Sequence, residues 1–122
     1  MKTCPTANPI LVIDDEPAIL KLLKSSLARK GYEVDTAANG QDGISKIKNN
    51  EYCLIITDIK MPGISGNQVL DYLRNQMKKS IPVIGMSGTP WLLEDKGFDA
   101  ILEKPYSMPV MYDLVSRLIS LA

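Results

Sequence analysis

Apolar positions along this chain fall into two rhythms. Five short runs read as strands, the first too brief for a helix and rich in β-branched residues: 9–14 (PILVID), 32–37 (YEVDTA), 52–57 (YCLIIT), 81–87 (IPVIGMS) and 99–105 (DAILEKP). The third is apolar without alternation, as expected of a strand covered on both faces, and the second has the weakest pattern. Between them apolar residues recur at helical spacing. EPAILKLLKSSLARKG (16–31) sets Ile19, Leu20, Leu22, Leu23 and Leu27 on one face, with Pro17 suited to a first turn and Gly31 to a stop. A turn at 39–40 leads into a short helix carrying Ile44 and Ile47. Gly66 precedes NQVLDYLRNQM (67–77), with Val69, Leu70, Leu73 and Met77 on one side. WLLEDKG (91–97) holds barely two turns, over which Trp91 is expected to pack. The last segment, 107–122, has Val110, Met111, Leu114, Val115, Leu118 and Leu121 at helical spacing, with Met108 also expected in the core or on the helix face.

Strands alternating with helices imply an α/β domain with a parallel sheet covered on both sides. Right-handed crossovers then bring every strand out at the same edge. At 122 residues one domain is expected, taken as 9–122 after a loose lead-in at 1–8. Fourteen basic and fourteen acidic side chains cancel, which argues against a nucleic-acid partner or an anionic membrane surface. No run approaches a transmembrane span, and the start lacks a signal peptide's apolar middle. Cys4 and Cys53 sit in different settings, so a reduced, cytoplasmic protein is expected. The absence of histidine removes every Ser-His or Cys-His arrangement and all imidazole metal sites within the chain.

The shared edge collects Asp14 and Asp15 after the first strand, Asp58 after the third, Ser87 after the fourth and Lys104 after the fifth. Three carboxylates brought together repel one another, and a hard divalent cation relieves that repulsion. Magnesium suits oxygen ligands and bridges readily to phosphate. With it in place a carboxylate can act as a nucleophile toward phosphorus. The Lys104 ammonium and Ser87 hydroxyl would then meet the charge spread over the phosphoryl oxygens.

VIDDEP, IITDIKMPGISG, VIGMSG and ILEKP together resemble the signature segments of the receiver domain of two-component response regulators, over nearly the whole chain from about Pro9 to Leu121. The resemblance implies a flavodoxin-like, doubly wound sheet in the order 2-1-3-4-5. It implies Asp58 as acceptor of a phosphoryl group from a sensor histidine kinase or phosphotransfer protein, followed by a conformational switch that signals to a downstream protein target. It implies Mg²⁺ held directly by Asp15, Asp58 and the Lys60 backbone carbonyl, with Asp14 acting through water. Ser87 matches the hydroxyl residue that meets the phosphoryl group and Lys104 the lysine that pairs with it. Lys60, Thr89 and Ile101 fall at positions that modulate phosphoryl lifetime or signalling. Such a domain catalyses only its own phosphorylation and dephosphorylation.

Each residue has a plainer reading. Asp14, Asp15 and Glu16 suit the start of a helix, Asp58 an Asx-turn before Pro62-Gly63, Ser87-Gly88 a turn, and Lys104 a solvated position. None of these explains the shared edge. A haloacid-dehalogenase-like phosphohydrolase would want Asp at 16, where Glu stands, and a cap domain. A flavin carrier would want a Ser/Thr/Gly-rich loop where DDEP stands. A receiver-like scaffold that is never phosphorylated usually lacks the acceptor or the lysine, and both are present. Two departures remain: a short fourth helix, and Ile101 where many members carry an aromatic switch residue. They predict activation that is transmitted differently or more weakly, with a weak homodimer left open.

Overall fold

In the computed structural model, which describes residues 8–88 and 97–121, the chain runs β1 (Ile10–Ile13), α1 (Pro17–Arg29), β2 (Val34–Ala37), α2 (Gly40–Asn49), β3 (Leu54–Asp58), α3 (Gly66–Asp71), β4 (Val83–Ser87), β5 (Ala100–Glu103) and α4 (Met108–Leu121). The five strands form one parallel sheet in the order β2-β1-β3-β4-β5. The order reverses between β1 and β3, which places a crevice at their carboxyl ends.

Every residue of β1, β3 and β4 is buried. Strand alternation sorts their side chains by parity. Ile10, Val12, Leu54, Ile56, Ile84 and Met86 face α1 and α4, where they meet Leu23, Leu27, Met111, Val115 and Ile119. Leu11, Ile13, Ile55 and Val83 face α2 and α3, where they meet Ile47, Val69, Leu70 and Leu73. Truncating any of these leucines to alanine costs about 2–5 kcal/mol.

Pro17 opens α1 as expected, and Gly31 leaves the helix at φ +94°, a backbone region in which a Cβ is strained. Leu22 and Val110 depart from expectation, being 48% and 49% exposed. The face α1 buries runs through Leu23, Ser26 and Leu27, one step round from Leu22. The helix expected over 67–77 begins at Gly66 and widens into a π turn at Tyr72–Gln76. There Arg74 fastens the helix end to the next strands. Its Nη1 donates to the carbonyls of Lys79 and Ile81 at 3.0 and 2.8 Å, and Nη2 to Asp99 at 3.0 Å. Asp99 in turn accepts from the Val83 amide at 2.7 Å.

At the opposite end of the sheet the Cys53 amide donates to the Pro9 carbonyl at 3.0 Å, so the chain entering β1 passes beside the start of β3. Cys53 is disulfide-bonded, which corrects the expectation of reduced thiols. That neighbourhood joins positions far apart in sequence; the bonding partner lies outside the described residues. The short helix expected over 91–97, with Trp91 and Thr89, falls outside them too except for Gly97, as does the lead-in except for Asn8.

Candidate functional site

β1 ends at Ile13, and the next two residues divide in exposure. Asp14 is wholly buried and Asp15 is exposed. The Asp14 amide donates to the Ala37 carbonyl at 3.1 Å, which carries the β1–β2 pairing one residue past the strand. Asp58 closes β3 and Ser87 closes β4, each 6% exposed. Lys104 follows β5, and its amide donates to the Ser87 carbonyl at 2.7 Å, which holds it beside the end of β4. Four strand ends thus deliver the five expected residues to one edge.

Asp14, Asp15 and Asp58 each offer a carboxylate oxygen, and these oxygens lie within 4.8 Å of one another. Lys104 Nζ donates to Asp58 Oδ1 at 3.0 Å across 46 positions of sequence. One ammonium faces three carboxylates, so the pocket keeps an excess of negative charge. Asp14 registers it. Burial pushes its carboxyl up to about 6, with Asp58 and Asp15 adding to the rise and the Glu16 amide and Lys104 opposing it. Asp14 Oδ1 accepts from the Glu16 amide at 2.9 Å, whereas Oδ2 is buried with no hydrogen-bond partner among the described residues. A buried anionic oxygen left this way costs free energy that a cation would recover. The donor set fits a hard, oxygen-liganded divalent ion such as Mg²⁺.

Of the plainer readings, the helix-start role fits Asp14, whose Oδ1 accepts from the Glu16 amide. The N-cap of α1 is Glu16, whose side chain makes no capping bond. The Asp58 carboxylate is engaged by Lys104 rather than by the turn at Pro62-Gly63. Lys60 is exposed beside the pocket, and Ile101 is 37% exposed on β5. Together with Tyr106, Val110 and Arg117, Ile101 lines a groove of about 510 Å³ between β5 and α4.

Tyr106, which the sequence pattern does not single out, is tied to the site by the structure. The ring packs against the α1/α4 side of the core; burial raises its hydroxyl above the usual phenol range, and Asp14 and Asp58 push it further. An aromatic residue two places after Lys104 was the available signal. Thr57 was missed as well; in an apolar strand it gave no signal of its own.

A doubly wound parallel sheet with an acidic pocket and a lysine at its strand ends defines the class of open α/β domains whose sites lie at the strand tips. Residues 10–116 match the family model of the response regulator receiver domain. The sensor protein EvgS of Escherichia coli O157:H7 is 33% identical over 121 residues, covering 95% of this chain and 10% of EvgS. The alkaline phosphatase synthesis transcriptional regulatory protein PhoP of Bacillus subtilis is 36% identical over 93 residues, covering 76% of this chain and 36% of PhoP. This chain therefore spans only a minor part of either relative. Among solved structures, the response regulator TrrA of Thermotoga maritima in complex with Mg²⁺-BeF superimposes with a TM-score of 0.82 at 36% identity, covering 91% of this chain and 98% of that one. The chain belongs to the response regulator receiver domain family. Among the described residues no helix is long and apolar enough to cross a membrane.

Proposed function

We propose that residues 9–122 form a receiver domain in which Asp58 accepts a phosphoryl group from the phosphohistidine of a sensor histidine kinase or phosphotransfer protein. The observation that carries this reading is the convergence of Lys104 on Asp58 at 3.0 Å, beside the Asp14 and Asp15 carboxylates. An Asp58 oxygen attacks phosphorus, the P–N bond to the donor imidazole breaks with its electron pair staying on nitrogen, and the imidazole leaves neutral after taking a proton from water. The product is an acyl phosphate on Asp58.

Asp15, Asp58 and the Lys60 carbonyl would hold Mg²⁺, with Asp14 acting through water. When bound, Mg²⁺ neutralises charge on the phosphoryl oxygens and lowers the repulsion against an incoming anion. Lys104 already points at the acceptor and is positioned to trade its Asp58 contact for a phosphoryl oxygen. Ser87, at the end of the adjacent strand, would donate to another. Lys60 and Thr89 would modulate the lifetime of the acyl phosphate.

Signalling passes to a downstream protein, with no direct nucleic-acid contact and no membrane contact, and a weak homodimer is left open. Ile101 leaves β5 without an aromatic reporter, so the switch is transmitted differently or more weakly. No other enzymatic activity is assigned. The test incubates the protein with Mg²⁺ and acetyl phosphate and compares intact mass with Asp58→Asn. Uptake of one phosphoryl group by the parent protein and none by the variant is expected. Equal uptake by both, or turnover of many phosphoesters, would refute the reading.

A further inference from the structure

We infer that Thr57 is a positioning residue for the cation and phosphoryl site: its hydroxyl holds the peptide after Asp58 in the orientation that presents the acceptor. The inference rests on the functional reading above. Thr57 is wholly buried on β3, between Ile56 and the acceptor itself. Valine has nearly the same shape, and in an apolar strand packing alone would favour it, because a buried hydroxyl must be satisfied. Here the Thr57 Oγ1 donates to the Asp58 carbonyl at 2.9 Å.

The rest of the same turn is gripped too. The Ile59 amide donates to the Met86 carbonyl at 3.1 Å, and the Ile59 carbonyl accepts from the Gly66 amide at 2.9 Å. Gly66 backs onto this peptide so closely that a Cβ there would lie 2.6 Å from the Asp58 carbonyl oxygen and 2.8 Å from Ile59 Cα. The chain leaves the sheet at this point, and the Asp58–Ile59 peptide sets both the acceptor carboxylate and the direction taken by the Lys60 carbonyl. Thr57 is the side-chain hydrogen bond in this grip. Without it the carboxylate must be ordered when the cation binds, and affinity falls.

Thr57→Ser, Thr57→Ala and Thr57→Val separate this role from simple packing. Mg²⁺ alone is titrated into each variant, with the Ile59 amide resonance as readout, and thermal midpoints are measured in parallel. Thr57→Ala and Thr57→Val are expected to bind Mg²⁺ about three- to tenfold more weakly than the parent, the loss appropriate to one neutral hydrogen bond, with Thr57→Ser within about twofold. Phosphoryl uptake from acetyl phosphate should slow in the same order at limiting Mg²⁺ and recover at saturating Mg²⁺. A packing role alone would instead group Ser with Ala, since both lack the methyl, and set Val apart. Equal Mg²⁺ affinity in Ser and Ala, or affinities that follow the thermal midpoints, would overturn the inference. If Thr57→Val fails to fold, the Ser–Ala pair still decides. Parent protein that neither binds Mg²⁺ nor takes up phosphoryl would instead overturn the functional reading, and this inference with it.

Discussion

Replacing Asp14 by asparagine should stabilise the magnesium-free protein. The carboxyl is wholly buried, carries an orphaned Oδ2, faces Asp15 and Asp58, and is pushed from 3.8 to about 6. A rise of about two units corresponds to ~3 kcal/mol of penalty on the charged form, an upper figure because ions and water relax around the pocket. Asparagine keeps the acceptor for the Glu16 amide and turns the orphaned oxygen into a donor facing the neighbouring carboxylates. A gain of about 1–3 kcal/mol at pH 7.5 is expected, or roughly 3–15 °C in a domain of this size. The sign with pH follows from which state holds the proton. The unfolded carboxyl releases it near 3.8 and the folded one near 6, so between these values the folded state binds more protons and its stability falls as pH rises. The variant has no such loss, so its advantage should vanish near pH 3.5 and be complete by about pH 7. Magnesium at ten times its dissociation constant adds about 1.4 kcal/mol to the parent and narrows the gap. Urea melts followed by circular dichroism in EDTA, at both pH values, are sufficient. An asparagine variant no more stable than the parent at pH 7.5, or one with the same gain at pH 3.5, would refute the electrostatic account.

Three further outcomes follow from other parts of the molecule. Tyr52→Phe removes a 2.6 Å hydrogen bond to Asp35. Burial raises the Asp35 carboxyl, but bonds from Tyr52 and Lys46 outweigh it and leave it below the usual range. That contribution is therefore present above the unfolded carboxyl value and lost as pH falls through the folded one. The variant should be about 0.5–1.5 kcal/mol less stable at pH 7, with the deficit shrinking in acid melts. Arg74→Ala frees two carbonyls and Asp99, and should cost about 1–3 kcal/mol in urea denaturation. Little of that comes from the partly exposed ion pair, so raising salt should not reproduce it. Gly66→Ala drives a Cβ into backbone that has no room to yield, and should cost about 1–3 kcal/mol. It should also weaken Mg²⁺ binding, measured by calorimetric titration.

The sheet was legible in the sequence because unbroken apolar runs such as LIIT admit one environment, a strand covered on both faces. Asp14, Asp15, Asp58, Ser87 and Lys104 were legible because a parallel sheet sends all its strand ends one way. Helix faces were read less well. A period of 3.6 leaves residues such as Leu22 and Val110 on the margin of the buried stripe, and only the packed neighbours decide their side. The π turn left no trace in the apolar pattern, and the bonds Arg74 makes from it reach residues beyond the helix. Cys53 was misjudged because its surroundings include Pro9, more than forty positions away in sequence. Thr57 was invisible because its role lies in one hydrogen bond to the residue beside it.

β1 is an interior strand of the sheet, and its neighbour β3 begins at Leu54, more than forty residues downstream. During synthesis its four apolar residues therefore wait, unpaired on that flank, until most of half the chain has emerged. Parallel pairing cannot be rehearsed by a local hairpin, so early translation leaves a sticky segment without its proper companion. A strand that the finished sheet shelters on both flanks is thus exposed to unsuitable companions while the ribosome is still at work.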